Sequence, residues 1–214
     1  MSALPDDLDR LLHDLRGPLN AASMHVEILK RAGPGEPGAL ASLEALRQEV
    51  GRLGVLLPAA FSIVALECAE QARVDLETLV RQVLEGQALG PVTLAPRPWP
   101  DVHGDPGLLR LAVTHLVRNA LAATAAAGPG RPPPEVSARP GAPGQAALVV
   151  RDRGAGFRTT NTRALIRLTI SPATGRPTVG LATVERIARL HRGTLEFRNP
   201  SEGGAEITLI LPAA

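Results

Sequence analysis

The 214-residue sequence predicts an α-helical hairpin that dimerises into a four-helix bundle, followed by a mixed α/β domain. Three observations predict it. Up to Glu70 the apolar residues recur at spacings of three and four; the punctuation Gly33-Pro34-Gly35 divides that stretch in two; and beyond Val74 short apolar runs alternate with Pro- and Gly-rich breaks.

The first helix is expected from Pro5 to about Arg31, with Ser2 and Pro5 as start signals and Gly33-Pro34-Gly35 as the stop. Leu8, Leu11, Leu15, Pro18, Ala22 and Leu29 form its apolar line. The second is expected from Gly38 to Glu70, with Leu43, Val50, Leu57 and Val64 in one heptad position and Leu46, Leu53 and Ala60 in the other. Pro58 should kink or interrupt that helix. The short turn from Gly33 to Gly38 makes the pair antiparallel. Two helices cannot bury a seam from all sides, so a homodimer is the simplest completion; packing of the hairpin on the rest of its own chain is the alternative.

Val74 to Gly86 then reads as a short helix, Pro91 to Ala95 as strand-like, and Gly128 to Gly144 as a loop or partly disordered insertion. Gln145 to Asp152 reads as a buried strand, Val179 to His191 as a helix, and Gly193 to Phe197 with Ala205 to Leu211 as a β-hairpin. The expected division is 1–72 and 73–214.

Composition narrows the function classes. The net charge is +2 and the basic residues, almost all arginine, are scattered among acids, leaving no electrostatic footprint for nucleic acid. Trp99, three Phe and no Tyr are too few aromatics to stack bases. The single Cys68 excludes an intrachain disulfide framework; it falls in an apolar stretch expected to be helical, where a buried, inert thiol suits a reducing compartment. The N-terminus is acidic (Asp6, Asp7, Asp9), and no apolar run approaches the roughly 20 residues needed to span a bilayer. A soluble, cytoplasmic protein with no membrane segment is expected.

Chemistry begins at His13-Asp14-Leu15-Arg16-Gly17-Pro18-Leu19-Asn20. At 100° per residue His13 lies about 200° around the helix from Leu15, facing away from the seam into solvent. An exposed imidazole offers a nitrogen nucleophile, and Asp14 can accept from one ring nitrogen while the other attacks. This string resembles the H-box of two-component histidine kinases, His-Glu/Asp-Leu-Arg-Thr/Asn-Pro-Leu, at six of seven positions. Gly17 departs where the family has Thr or Asn, a residue tied to dephosphorylating the partner, which argues against a phosphatase role.

Three further strings follow in the order that resemblance implies. Gly104-Asp105-Pro106 through Leu121 resembles the N-box helix of Bergerat-type ATPases, placing Asn119 as a magnesium ligand beside the phosphates of ATP. His115 stands where the family commonly has an upstream Asn or acid. Asp152-Arg153-Gly154-Ala155-Gly156 fits the Asp-x-Gly-x-Gly box, in which Asp152 would accept from the adenine amino group while Gly154 and Gly156 let the backbone pass close to the nucleotide. Gly180 to Gly193 resembles the second half of the G2 box and its helix. Its first half departs: Arg176-Pro177-Thr178-Val179 replaces Gly-x-Gly-Leu, and a branched Thr178 with a Pro177 lacking an N–H would narrow the phosphate cradle. Leu165 to Ala173 aligns with the lid but has Thr169 and Ile170 in place of its aromatics and Ala173 in place of its Lys; Arg163, Arg167 or Arg176 could supply charge instead.

The resemblance covers Leu8 to Leu211 and implies a dimeric hairpin followed by an α/β sandwich of the Bergerat ATPase type. It implies a homodimeric kinase core that autophosphorylates His13 from ATP with magnesium and passes the group to an Asp of a response-regulator receiver domain. Two alternatives stand beside it. One is a histidine phosphotransferase with a degenerate, non-ATP-binding domain, relaying phosphate between receiver domains, which the altered G2 box would suit; the absence of a sensor segment ahead of His13 would suit it or an excised or soluble kinase regulated by partner proteins. The other is a non-catalytic dimeric scaffold that binds a receiver domain.

Overall fold

The computed structural model describes residues 4–32, 37–87, 89–172 and 174–214. Ser2, the Gly33-Pro34-Gly35 stop, Ala173 and the side chains of Leu8 and Leu11 lie outside the described residues. The chain divides into two compact units, 1–65 with 167–179 and 66–166 with 180–214.

In the first unit, α1 (Leu4–Arg31) and α2 (Pro37–Val64) pack along their lengths. Leu15 of α1 is buried, as are Ser42, Leu56, Ala59, Ala60 and Ile63 of α2. Of the two heptad lines read in α2, the one through Leu46, Leu53 and Ala60 is half-buried to buried, whereas Leu43, Val50 and Leu57 are exposed together with Leu12, Leu19 and Leu40. The hairpin thus keeps an uncovered apolar surface, as the two-helix argument requires. Of the kink or interruption expected at Pro58, the interruption does not occur: helix α2 continues through it, since a proline forfeits one ladder bond and the long flanking stretches retain theirs. It also ends at Val64 rather than Glu70, so Cys68 is half-buried outside any helix. Segment 167–179 completes the unit as a small turn, closed by an Ile170–Pro177 bridge and by Thr178 N donating to Thr169 O at 2.7 Å.

The second unit is an α/β sandwich. After the short strand β1 (Ala72–Asp75), Asp75 caps α3 (Leu76–Gly86) by accepting from Thr78 N; the helix therefore starts two residues later than Val74 suggested. Then come β2 (Thr93–Leu94), β3 (Asp101–Gly104), α4 (Pro106–Ala126), β4 (Glu135–Pro140), β5 (Gln145–Arg151), the single turn α5 (Thr162–Leu165), α6 (Gly180–Leu190), β6 (Thr194–Arg198) and β7 (Glu206–Pro212). The main sheet runs β2-β4-β5-β7-β6, parallel only between β2 and β4, while β1 and β3 form a separate antiparallel pair. Strand β4 corrects the reading of 128–144 as loop: Val136 and Ala138 alternate inward, and Pro140 sits at the end of the strand, where a missing N–H is tolerated.

The core lies between this sheet and helices α3, α4 and α6. Ala146, Leu148 and Val150 of β5 and Ile207, Leu209 and Leu211 of β7 meet Leu109, Ala112, Val113, Leu116 and Val117 of α4 and Val184, Ile187 and Ala188 of α6. The strand residues follow period two and the helical ones three and four, so the burial pattern is the sequence pattern. Among the described residues no helix is long and apolar enough to cross a membrane.

Candidate functional site

In the first unit, His13 projects from α1 with its side chain 71% exposed, as the helical phase requires. Asp14 beside it is only 12% exposed and is differently employed than the sequence suggested. Its Oδ1 lies 3.7 Å from His13 Nδ1, too far for a hydrogen bond, while Arg167 Nε donates to Oδ1 at 2.9 Å and Leu168 N donates to Oδ2 at 3.1 Å. The carboxylate that was expected to hold the imidazole instead anchors segment 167–179.

In the second unit the candidates gather on α4. Asp105, its N-cap, accepts from Gly107 N and Leu108 N and also from Ala69 N, which fixes where the helix begins. Burial works against the Asp105 carboxylate, but the backbone donors of Leu108, Ala69, Glu70 and Gly107 outweigh it and hold the carboxyl below its ordinary range. With the start fixed, His115, Asn119 and Ala123 fall four apart and form one stripe along the helix.

Each end of that stripe meets a glycine of the predicted boxes. At one end Gly180, the first residue of α6, rests on His115; a Cβ there would stand 3.4 Å from its Nδ1. At the other, Gly154 passes so close to Ala123 that a Cβ would come within 2.8 Å of its carbonyl oxygen. Asn119 lies between them along the stripe and is exposed. Burial, with Arg118 adding to it, pushes His115 below the ordinary imidazole range, so this position carries a neutral ring at neutral pH.

Asp152 follows β5 and is 5% exposed. Gly154 N donates to its Oδ1 at 2.8 Å and Ala205 N to the same atom at 2.9 Å; among the described residues Oδ2 has no partner. The loop after it is pinned by groups the sequence reading passed over. Thr124 Oγ1 accepts from Arg153 N, and Asn199 both accepts from Phe157 N at 2.8 Å and donates to Phe157 O at 2.9 Å. Gly156 takes φ +77° directly over Asn199, a conformation and an approach that a side chain would obstruct. Thr124 lies on the line continuing from Ala120 and could have been found by helical phase; nothing local marks Asn199.

A purine nucleotide fits this arrangement at its base end. A buried carboxylate with one uncommitted oxygen matches an exocyclic amino donor, and Gly154 keeps the neighbouring wall at backbone height. Near His115 the N–H groups opening α6 could serve as anion donors, and the exposed Asn119 amide could serve as a hard-cation ligand. Thr178 is drawn into the 169–178 turn, its hydroxyl donating to Thr169 O at 3.1 Å, so the residues preceding α6 do not form an open glycine loop.

Residues 104–214 match the family model of histidine kinase-, DNA gyrase B- and HSP90-like ATPases. The sensor-like histidine kinase SenX3 of Mycolicibacterium smegmatis is 25% identical over 224 residues, covering 97% of this chain and 57% of that protein. The sensor protein CreC of Escherichia coli K12 is 30% identical over 216 residues, covering 94% and 44%. The chain spans about half the length of these curated relatives. Full-length ShkA in complex with AMPPNP superposes with TM-score 0.57 at 24% identity over 98% of this chain and 46% of that one. The ATP-binding domain of PrrB from Mycobacterium tuberculosis gives 0.54 at 26% identity, covering 68% of this chain and 99% of that domain. With just over half of its length matched by the family model and a helical hairpin preceding the matched part, the chain belongs to the histidine kinase-, DNA gyrase B- and HSP90-like ATPase family, as the core of a sensor histidine kinase.

Proposed function

We propose that the chain is a histidine autokinase core, with a phosphotransfer hairpin over 1–72 and an ATP-binding domain over 73–214. ATP, when bound, supplies the γ-phosphoryl group. The observation that carries the reading is the α4 stripe of His115, Asn119 and Ala123, bounded at its ends by Gly180 and Gly154. The AMPPNP complex of ShkA supports the same use of the fold here.

In this reading Asp152 receives the base through Oδ2, Gly154 and Gly156 let the backbone lie along the nucleotide, and the N–H groups opening α6 at Gly180 face the phosphates. Asn119 would hold magnesium through its amide oxygen, and the ion would supply neutralising charge to the phosphates. His13 attacks phosphorus through Nε2; the P–N bond forms as the bond to the β,γ-bridging oxygen breaks, and that oxygen leaves with the electron pair on ADP. Asp14, near Nδ1, offsets the positive charge that develops on the ring. These residues work by positioning and charge neutralisation, which is most of what phosphoryl transfer asks of a protein. His13 then gives the group to a receiver-domain Asp of a response regulator. The uncovered apolar surface of the hairpin supports a homodimer, and the reading assigns the chain to the cytoplasm.

The test is incubation of the purified protein with γ-labelled ATP and magnesium. Acid-labile label on the wild type that is absent from His13→Gln is the expected result; no label together with no nucleotide binding by calorimetry would sink it. The committed Thr178 favours a second reading, a phosphotransferase without ATP, for which His13 would be labelled only from a phosphorylated receiver domain.

A further inference from the structure

We propose that Arg167 is the cation that receives the phosphoryl group on His13, binding its oxygens through the two terminal nitrogens of the guanidinium. The inference rests on His13 as phosphoryl carrier but not on ATP as the donor.

Two groups converge on one oxygen. His13 Nδ1 stands 3.7 Å from Asp14 Oδ1 and Arg167 Nε 2.9 Å from the same atom, so imidazole and guanidinium flank a single carboxylate. Nε is the inner nitrogen of the arginine fork. With it committed to Asp14, Nη1 and Nη2 have no partner among the described residues, and the side chain is 50% exposed. Its backbone is equally fixed. The next residue donates from Leu168 N to Asp14 Oδ2 and is itself only 3% exposed, and the Thr169–Thr178 closure holds the turn beyond it. An arginine anchored at both backbone and Nε loses little freedom on gripping a tetrahedral anion.

Electrostatics gives the contact a purpose. Because Nδ1 faces Asp14, a phosphoryl group would sit on Nε2, adding about 1.5 to 2 negative charges next to a carboxylate. Like charges at that range repel unless a cation stands beside them. Among the groups touching Asp14, Arg167 is that cation. Arg16, one turn along α1 and exposed, is the rival on the helix itself.

The test loads His13 without nucleotide. Phosphoramidate phosphorylates the full chain directly: its P–N bond breaks, a new P–N bond to His13 Nε2 forms, and the imidazole proton leaves with ammonia as ammonium. The phosphorus-31 resonance lost in His13→Gln identifies the site, and its pH titration reports the local charge. The wild-type resonance should titrate at least about half a pH unit below that of Arg167→Gln, because a cation stabilises the dianion. Arg167→Lys should retain most of the shift, and Arg16→Gln should match wild type. Equal midpoints in wild type, R167K and R167Q would overturn the proposal, as would a shift produced by R16Q instead, or failure of His13 to take up phosphate at all. Absence of labelling by ATP, with the phosphorus shift intact, counts only against the nucleotide donor.

Discussion

The backbone N–H of Asp105 donates to Nε2 of His191 at 2.8 Å, tying the cap of α4 to the end of α6. With Nε2 accepting, Nδ1 carries the proton and donates to Ile187 O at 2.7 Å, so both ring nitrogens are satisfied only in the neutral ring. The ring is 2% exposed and packs so closely on Gly104 that a Cβ there would come within 2.7 Å of it. This pair sets the spacing of the two helices that carry Asn119 and Gly180.

His191→Ala should therefore destabilise the second unit by roughly 2–4 kcal/mol, from the cavity and from leaving the Asp105 N–H without its acceptor in the core. Urea unfolding measures it. Nucleotide affinity should fall with it, because the register of α4 against α6 is lost before the fold is.

The pH dependence of stability separates two groups. The imidazole of His115 is held below its ordinary value, so the unfolded chain takes up this proton first as pH falls. Stability is then intact well above about 6.5 and is lost as pH descends through that value. Asp105 is also held low, and its contribution is present above about 3.9 and lost only as pH falls through the carboxylate range. Urea midpoints should thus decline as pH falls below about 6.5 in wild type, and decline less in His115→Asn. A decline of the same size in both would assign it to another histidine.

How much of this was legible beforehand depends on the reach of each interaction. Helical phase exposed His13, and the Asp-x-Gly-x-Gly spacing located Asp152 at the end of β5, because these are local regularities of backbone geometry. The partner of Asp14 was not legible. Asp14 and Arg167 are 153 residues apart, and sequence could place Arg167 only among three arginines able to meet phosphate. Strand β4 was hidden for another reason: its Pro140 and flanking glycines carry turn chemistry, whereas its pairing with β5 is a tertiary fact. The helix runs on through Pro58 because the ladder bonds of the long flanking stretches outweigh the one a proline forfeits.

Glycines of the two boxes should differ sharply on substitution. At Gly154 a methyl group would stand 2.8 Å from the Ala123 carbonyl, a backbone atom that cannot step aside, so Gly154→Ala should cost about 1–3 kcal/mol and displace the loop after Asp152. At Gly180 the corresponding distance is 3.4 Å, to a side chain, and Gly180→Ala should be neutral to slightly stabilising at the start of a helix. Thermal melts give the stability difference, and fluorescent-nucleotide titration should show weaker binding for Gly154→Ala alone.

Thr178 limits the backbone donors that the residues ahead of α6 can offer. Its N–H and hydroxyl are both spent on Thr169 O, at 2.7 and 3.1 Å, and its neighbour Pro177 bridges Ile170 without an N–H to offer. Replacing both by glycine removes the hydroxyl anchor, restores one backbone donor and lets the chain before α6 turn toward an anion. The change should cost no more than about 1–2 kcal/mol, since Thr178 is exposed and Pro177 only half-buried, and should tighten nucleotide binding by about threefold or more if the phosphates rest on this stretch. Calorimetry with a non-hydrolysable nucleotide and magnesium reads the affinity, and urea unfolding of the same sample reads the cost. A double variant that binds no better than wild type would mean that the phosphates do not lie on the residues before Gly180, and the base-end contacts at Asp152 would then carry whatever affinity the chain has.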